Sequence, residues 1–430
     1  MSESAAWPRP RAAWGMVALL TLAYLFSYID RTILGLLIQP IKADLGLSDE
    51  QIGWVLGPAF AIFYATIGLP LGWLVDRRSR TRLIAAGIAL WSVATVASGL
   101  IRSFPQLFVA RMTVGVGEAV LSPAAFSIIG DSFPPERRAR PVAVYSMAIT
   151  LGSGLASLIG AAVLTWAKGS EGVAVPLLGT LSPWRLTFLA VGLPGLLVSL
   201  AFLFVREPRR IADAAPGGNG FGAAFGHIAS RKGDYALIVA IVAAMVVVAY
   251  SQGFLPAAFE RRWGWPPEYF ARWNGISSLV IGPAVYLWAG SYSDRRARAG
   301  EPDAALRVMT WAVVVLVPSN GLAMLLPGPW WAFAALCLGS AAIGAISAVG
   351  VTALLAITPG AIRGQVVALY YMTISLAGLL LGPTTVGYLS TRVFGEDRLH
   401  LAIACVPLLY ATLPALLAVA VRLRRARRAL

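Results

Sequence analysis

Apolar stretches of about the length needed to cross a bilayer recur along the whole 430-residue chain, separated by short polar and mostly basic breaks. A helix needs about 20 apolar residues to span the hydrocarbon. The pattern predicts twelve such helices, over 14–39, 52–75, 83–101, 105–130, 141–166 and 184–205, then 234–257, 272–293, 306–326, 330–357, 365–390 and 400–421. The longest polar stretch, 206–233, lies between the sixth and the seventh. It is rich in Gly and basic residues and reads as a linker with one surface helix near Phe221–Ile228. The organisation expected is an N-terminal six-helix bundle (1–205), a cytoplasmic linker (206–233), a C-terminal six-helix bundle (234–421) and a basic tail (422–430) of an all-α membrane protein.

Composition agrees with this pattern. Hydrophobic residues make up 58% of the chain and charged residues 13%, against about 25% charged in a soluble domain. The net charge of +15 would suit nucleic acid, but the cations sit in short loops and tails and form no domain that could bind it. They concentrate on alternate loops: the N-tail, Arg77/Arg78/Arg80/Arg82, Arg137/Arg138/Arg140, the linker, Arg295/Arg296/Arg298, Arg363 and the C-terminal tail. The positive-inside rule then predicts both termini in the cytoplasm. Arginine far outnumbers lysine (Lys42, Lys168, Lys232), which with abundant Ala and Gly suggests a GC-rich bacterium and its inner membrane. Trp14, Trp54, Trp166, Trp184, Trp330 and Trp331 fall near span ends, as an aromatic belt requires. Cys337 and Cys405 lie in spans and read as buried thiols without a disulfide framework. The first apolar run is longer than a signal-peptide core and lacks an A-x-A cleavage site, so it reads as the first span.

The chain repeats itself. Gly72-Trp-Leu-Val-Asp76-Arg77-Arg78 follows span 2, and Gly290-Ser-Tyr-Ser-Asp294-Arg295-Arg296 follows span 8. Arg138-Ala-Arg-Pro-Val-Ala-Val-Tyr145 before span 5 parallels Arg363-Gly-Gln-Val-Val-Ala-Leu-Tyr370 before span 11. Two motifs recurring in order, one set per six spans, indicate a transporter built from two parallel halves. The sequence GWLVDRRSRTRL (72–83) resembles the loop signature of the major facilitator superfamily. That resemblance implies two pseudo-symmetric six-helix bundles around a cavity opened alternately to each side. It also implies a cytoplasmic gate drawn from Gly72, Asp76, Arg77, Arg80, Arg137, Asp294 and Arg295, with the arginines as ion-pair partners of Asp76.

Four charges interrupt the apolar pattern: Asp30 and Arg31 in span 1, Arg111 and Glu118 in span 4. A charge at membrane depth costs at least about 2.5–3.5 kcal/mol, so it is paired or functional. At about 1.5 Å per residue, Asp30 and Arg31 lie about 12–14 Å below the outer surface, Arg111 about 9 Å and Glu118 about 20 Å. Arg111 and Glu118 are seven apart and share a helix face. Asp30 and Arg31 point about 100° apart. This places Arg111 with Asp30 and Glu118 with Arg31. Aligned through the repeat, Asp30 and Arg31 correspond to Gln252 and Gly253, Arg111 to Leu336 and Glu118 to Ile343, so the charges occupy one half only. A static ion-pair cluster and a functional site both remain open; buried pairs add little net stability, which favours function.

The segments YIDR (28–31), WSVAT (91–95), RMTVGVGEA (111–119), SPAAFSIIGDSF (122–133) and GSGL (152–155) together resemble spinster-type transporters. Ala156 stands where many members carry Gly, and the C-terminal half matches at superfamily level only. The resemblance implies alternating-access transport of an amphipathic anionic lipid, of lysophospholipid or sphingoid-phosphate type, with proton coupling in some members. Arg31 and Arg111 are then the headgroup ligands and Asp30 and Glu118 the proton sites, while Tyr64, Tyr145 and Tyr370 either line the cavity or hydrogen-bond a neighbouring helix. A symporter of small organic anions or a drug exporter of the same superfamily are the alternatives, although the span 5 sequence GSGLASLIG lacks the proline of an exporter motif. Clustered catalytic residues near the surface are not evident, so no enzyme is expected, and His227 and His400 have no metal-ligand neighbours, so neither metal nor cofactor is expected. The partners expected are the substrate, protons and membrane lipids, and the state expected is a monomer.

Overall fold

The computed structural model describes residues 7–75, 77–134, 137–169, 174–175, 179–210, 221–301 and 303–428. Span 1 is α1 (Pro10–Leu36) continued by α2 (Ile38–Leu45). Span 2 is α3 (Asp49–Leu56) and α4 (Pro58–Val75), separated at Gly57. The next are α5 (Arg80–Ser98), then α6 (Phe104–Glu118) with α7 (Leu121–Ser132), α8 (Ala139–Gly169) and α9 (Pro183–Phe204). The expected linker helix is α10 (Phe221–Ser230). The second half holds α11 (Lys232–Ser251) with α12 (Leu255–Trp263), α13 (Pro267–Arg298), α14 (Ala304–Gly321), α15 (Pro329–Ala356), α16 (Arg363–Tyr388) and α17 (Leu399–Arg428). A two-residue antiparallel pair, Ala174–Val175 with Gly179–Thr180, is the sole sheet among the described residues.

Local chemistry sets several of these ends. Pro stands in the first turn of α1, α6, α9 and α15, where its missing N–H costs nothing. Gly46 (φ 65°) ends α2 and Gly264 (φ 70°) ends α12. A left-handed residue is required at both ends and only glycine adopts it without strain. The two stops fall at equivalent places in the two halves.

Eleven helical stretches among the described residues are long and apolar enough to cross a membrane. The twelfth expected span is α13, which has the length, at 32 residues, but carries Asn274, Ser277 and Ser278 early in its apolar stretch. Large apolar side chains point outward along these helices: Leu197, Phe204, Leu287 and Leu413 are each more than 60% exposed. With no water in the bilayer core, such a surface is stable only against lipid, and helices satisfy their own backbone groups there. The protein is an integral membrane protein.

The chain divides into two compact units. The first comprises Met1–Leu47, Trp54–Asp213 and Trp265–Leu279, the second Ser48–Gly53, Ala214–Gly264 and Val280–Leu430. Inside the first unit, α1 packs on α8, α5 on α9 and α5 on α6. Inside the second, α11 packs on α16, α14 on α17 and α14 on α15. Numbered by span, these are the same three pairs, so the sequence repeat is a repeat of helix packing.

Two short segments cross the simple division at the linker, and side chains explain one of them. The start of α3 is held in the second unit by Asp49, which is fully buried. Arg261 donates to both carboxylate oxygens of Asp49, at 2.7 and 2.8 Å, and Ser390 Oγ donates at 2.7 Å. The Asp49 N–H donates to Glu396 at 2.7 Å, and Arg392 pairs with Glu50 at 2.7 Å.

Two expectations are corrected. Trp184 is not a belt residue: it is 2% exposed and its Nε1 donates to Asp44 at 3.1 Å, beside an Arg185–Asp44 ion pair at 2.9 Å. An indole N–H with a carboxylate in reach gains more from that bond than from the interface. Cys337 and Cys405 are partly exposed rather than buried. Arg261→Ala would leave the Asp49 carboxylate buried without its two-pronged partner, so we expect a loss of about 3–5 kcal/mol. Thermal melting in detergent checks this, with Lys168→Ala, at a half-exposed pair with Glu268, changing stability by no more than about 1 kcal/mol.

Candidate functional site

The four intramembrane charges come together inside the first unit. Ser27 and Arg31, one turn apart, share a face of α1, and Asp30 lies on the next face. Arg31 Nε and Nη2 donate to Glu118 Oε2 at 2.8 and 2.5 Å, and Ser27 Oγ donates to the same oxygen at 2.7 Å. About 100° round the helix, Asp30 Oδ2 accepts from Arg111 Nη1 at 3.2 Å. Asp30 Oδ1 is 2.9 Å from the Thr95 hydroxyl. That hydroxyl is equally close to the Trp91 carbonyl, so its one proton serves one acceptor at a time. The pairing is the one that depth and helix phase predict.

Burial separates the four. The side chains of Asp30 and Arg111 are each 3% exposed and that of Glu118 is 1%, whereas Arg31 is 21% exposed. The Arg31 guanidinium lies 4.5 Å from the Phe60 ring, 5.5 Å from Tyr64 and 5.8 Å from Tyr28. Phe60 and Tyr64, one turn apart on α4, are stacked at 5.2 Å. Arg31 is therefore the member of the cluster that a solute can reach, set in an aromatic wall. Three donors converge on Glu118 Oε2, while Glu118 Oε1 is buried with no hydrogen-bond partner. A proton on that free oxygen would cancel the charge that holds Arg31 without displacing an existing bond.

Two glycines of the RMTVGVGEA segment permit this closeness. A methyl group at Gly115 would stand 2.6 Å from the Phe60 carbonyl oxygen, and one at Gly117 would stand 2.7 Å from the Gly87 carbonyl oxygen. Two residues apart, they face opposite sides of α6: Gly115 admits α4 and Gly117 admits α5. Without them neither Phe60 nor Thr95 could approach the charges that α1 and α6 carry.

The other expected residues fall in several places. Tyr64 is in the aromatic wall. Tyr145 is 1% exposed, stacked on Tyr24 at 5.2 Å with its hydroxyl 3.4 Å from Ser122. Tyr370 belongs to the second unit, is 4% exposed and packs edge-on against Tyr371. Both are packed inside their units and would have to move to touch a solute. Asp76 lies outside the described residues. Arg77 stacks on Trp73 at 3.9 Å, Arg137, Asp294 and Arg295 are exposed, and a methyl group at Gly72 would meet nothing within 4 Å.

Arg80 is fully buried and committed within its own unit. Its Nε donates to Glu207 at 2.7 Å, Nη1 to Ser127 at 2.9 Å and to Asp131, and Nη2 to the Pro208 carbonyl at 2.9 Å. Ser79 Oγ adds a bond to Glu207 at 2.6 Å. Burial pushes the Glu207 carboxyl up, but the bonds from Ser79 and Arg80 outweigh it and hold the group below its ordinary value. Sequence reasoning missed Ser27, Thr95, Phe60, Asp131 and Glu207 as partners. Thr95 and Asp131 lie inside the segments that carry the family resemblance, and Ser27 stands one turn before Arg31, which were the available signals.

In the second unit a neutral pair stands near the matching place. Gln252 Nε2 donates to Asn320 Oδ1 at 3.1 Å, linking the end of α11 to α14 much as Asp30 links α1 to α5.

Replacing Gly115 or Gly117 by Ala should destabilise the protein by about 1–3 kcal/mol through overpacking, read as a lower melting temperature in detergent. A carboxyl with a lowered folded-state value gives stability that is complete above its ordinary value of 4.5 and is lost as the pH falls through the lowered one. Glu207→Gln should accordingly melt below the wild type near neutral pH. The gap should close on acidification below that value, as parallel thermal melts across pH would show.

Comparison with known proteins identifies the lineage. Residues 20–301 match the Major Facilitator Superfamily. An MFS-type efflux pump of Mycolicibacterium smegmatis is 32% identical over 73% of this chain and 70% of its own length. Human protein spinster homolog 1 is 32% identical over 45% of this chain, a stretch covering 35% of that protein. The crystal structure of a bacterial homologue of the human lysosomal transporter spinster, inward-facing and occupied, superposes with a TM-score of 0.82 at 25% identity, over 96% of this chain and 97% of the other. This chain belongs to the Major Facilitator Superfamily of membrane transporters and is spinster-like within it.

Proposed function

We propose that the protein is a secondary active transporter that moves an amphipathic anionic lipid, of lysophospholipid or sphingoid-phosphate type, coupled to protons. The observation that carries this reading is the state of Arg31. It is the accessible cation of the cluster, it is walled by Tyr28, Phe60 and Tyr64, and its Nε and Nη2 both meet one oxygen of Glu118. An anionic headgroup competes with Glu118 for the guanidinium, and the aromatic rings receive the first carbons of the chain. Protonation of Glu118 on its free oxygen weakens the competitor. A carboxylate near a cation and out of water is poised between two opposing effects on its protonation, which suits a coupling group.

Arg111 and Asp30 form the supporting pair, which keeps α1 and α6 in register while Arg31 changes partner. Asp30 is the second proton site of this scheme. Gly72, Asp76, Arg77, Arg137, Asp294 and Arg295 of the doubled loops serve the gate on the cytoplasmic side of a bacterial inner membrane, and Arg80 braces the loop from within its unit. The protein acts as a monomer, with both termini in the cytoplasm.

Uptake of a labelled lysophospholipid into proteoliposomes under an imposed pH gradient tests this. Arg31→Ala should lower uptake by roughly tenfold or more, as loss of a charge-assisted bond does. Glu118→Gln should retain exchange of substrate but lose the stimulation by the gradient. Glu118→Gln and Asp30→Asn both keeping full gradient-driven uptake would remove the coupling assignment. Uptake of a sugar acid in place of the lysolipid would replace the lipid reading with that of an organic-anion symporter.

A further inference from the structure

The second unit carries a surface feature that the transport reading leaves unused. Helices α14 and α17 pack along each other, and near the basic end of α17 they leave a cavity of about 530 Å³. Trp311, Val314 and Val315 of α14 and Val419 and Leu423 of α17 line it with hydrocarbon, and Arg422 supplies its one charge. Trp311, Val314 and Leu423 are each more than 40% exposed. Both helices are membrane spans, so this face meets lipid rather than water.

The Arg422 guanidinium lies 5.7 Å from the Trp311 ring, and no carboxylate pairs with it among the described residues. The aromatic surface continues from Trp311 to Tyr292 at 5.7 Å and to Trp288 at 5.8 Å. A second arginine, Arg296, lies over Tyr292 at 5.5 Å, but it is tied to Glu301 at 2.9 Å, a carboxylate that Arg307 also engages at 2.9 Å. Of the two guanidiniums on this aromatic surface, Arg422 is the one left for an external anion. A cation at the mouth of a hydrocarbon cavity, on a face bathed in lipid, is complementary to an amphiphile with an anionic head. The volume falls in the range of small-molecule sites.

We infer that the α14–α17 cavity binds an anionic phospholipid of the surrounding bilayer. Arg422 takes the phosphate, and the chain lies on Trp311, Val314 and Val419. The site is separate from the charge cluster, which belongs wholly to the first unit, and its occupant is a resident lipid rather than the cargo.

Purified full-length protein, titrated with phosphatidylglycerol or phosphatidylcholine in detergent at about 0.5 M salt, tests this; the salt screens diffuse attraction by the basic tail. Retained lipid is read by native mass spectrometry and melting temperature in parallel. The wild type should retain phosphatidylglycerol and melt higher with it, and respond little to phosphatidylcholine. Arg422→Gln should weaken phosphatidylglycerol retention roughly tenfold or more. Arg424→Gln, an exposed neighbour outside the cavity, should bind as the wild type does. Val314→Trp, which fills the cavity and leaves every charge in place, should also lose the lipid. Equal losses in Arg422→Gln and Arg424→Gln, or equal retention of both lipids by the wild type, would overturn the site. So would undiminished retention by Val314→Trp.

Discussion

A charge removed from water must meet an opposite charge at bonding distance, and the first unit is arranged around that requirement. Two carboxylates and two guanidiniums, three of them nearly inaccessible, are matched one to one across α1 and α6. Attraction between unit charges about 4 Å apart amounts to about 4 kcal/mol at the effective dielectric of such sites, which repays much of the desolvation only if the geometry is close. Between the two charges of α6, Gly115 and Gly117 let α4 and α5 come to backbone contact with α6 beside the pairs. The aromatic wall around Arg31 and the Thr95 bond to Asp30 both follow from this contact. The cluster and the helix packing are thus one construction.

The second unit repeats the packing without the charges. The three dominant helix pairs recur in it, and so do the glycine stops at Gly46 and Gly264. Where Asp30 reaches Thr95, Gln252 reaches Asn320. The scaffold therefore needs a polar tie between its first and third spans but does not need it to be ionic. At this tie the ionic version belongs to the first unit, and its cost makes sense there as chemistry, since the neutral pair does the same holding in the second.

Much of this was legible in the sequence because the relevant signals are periodic. Apolar run length located the spans. Helix phase and depth were enough to pair Asp30 with Arg111 and Arg31 with Glu118. What the sequence hid depends on which partner a side chain finds. Trp184 sits near a span end as a belt residue would, and only the placement of Asp44 draws it inward. Arg80 stands in a loop signature among exposed arginines, yet Asp131 and Glu207, 51 and 127 positions away, bury it. Tyr145 and Tyr370 share a motif that marks a helix start, and a motif does not tell whether a ring faces a cavity or a neighbour. The docking of Ser48–Gly53 in the second unit rests on contacts more than 200 residues apart, beyond any local pattern.

The pairing also sets an electrical balance. With both carboxylates ionised the cluster carries no net charge, so the membrane voltage exerts no net force on it. One added proton leaves it at plus one, and one singly charged anion beside that proton returns it to zero. A cycle that loads both together would move no net charge in that step, and transport would follow the pH difference rather than the potential. A doubly charged cargo with the same proton would instead carry one negative charge through the field, worth about 2.3 kcal/mol for each 100 mV. The one-to-one matching of two acids with two bases therefore makes the valence of the cargo readable from whether transport generates a current.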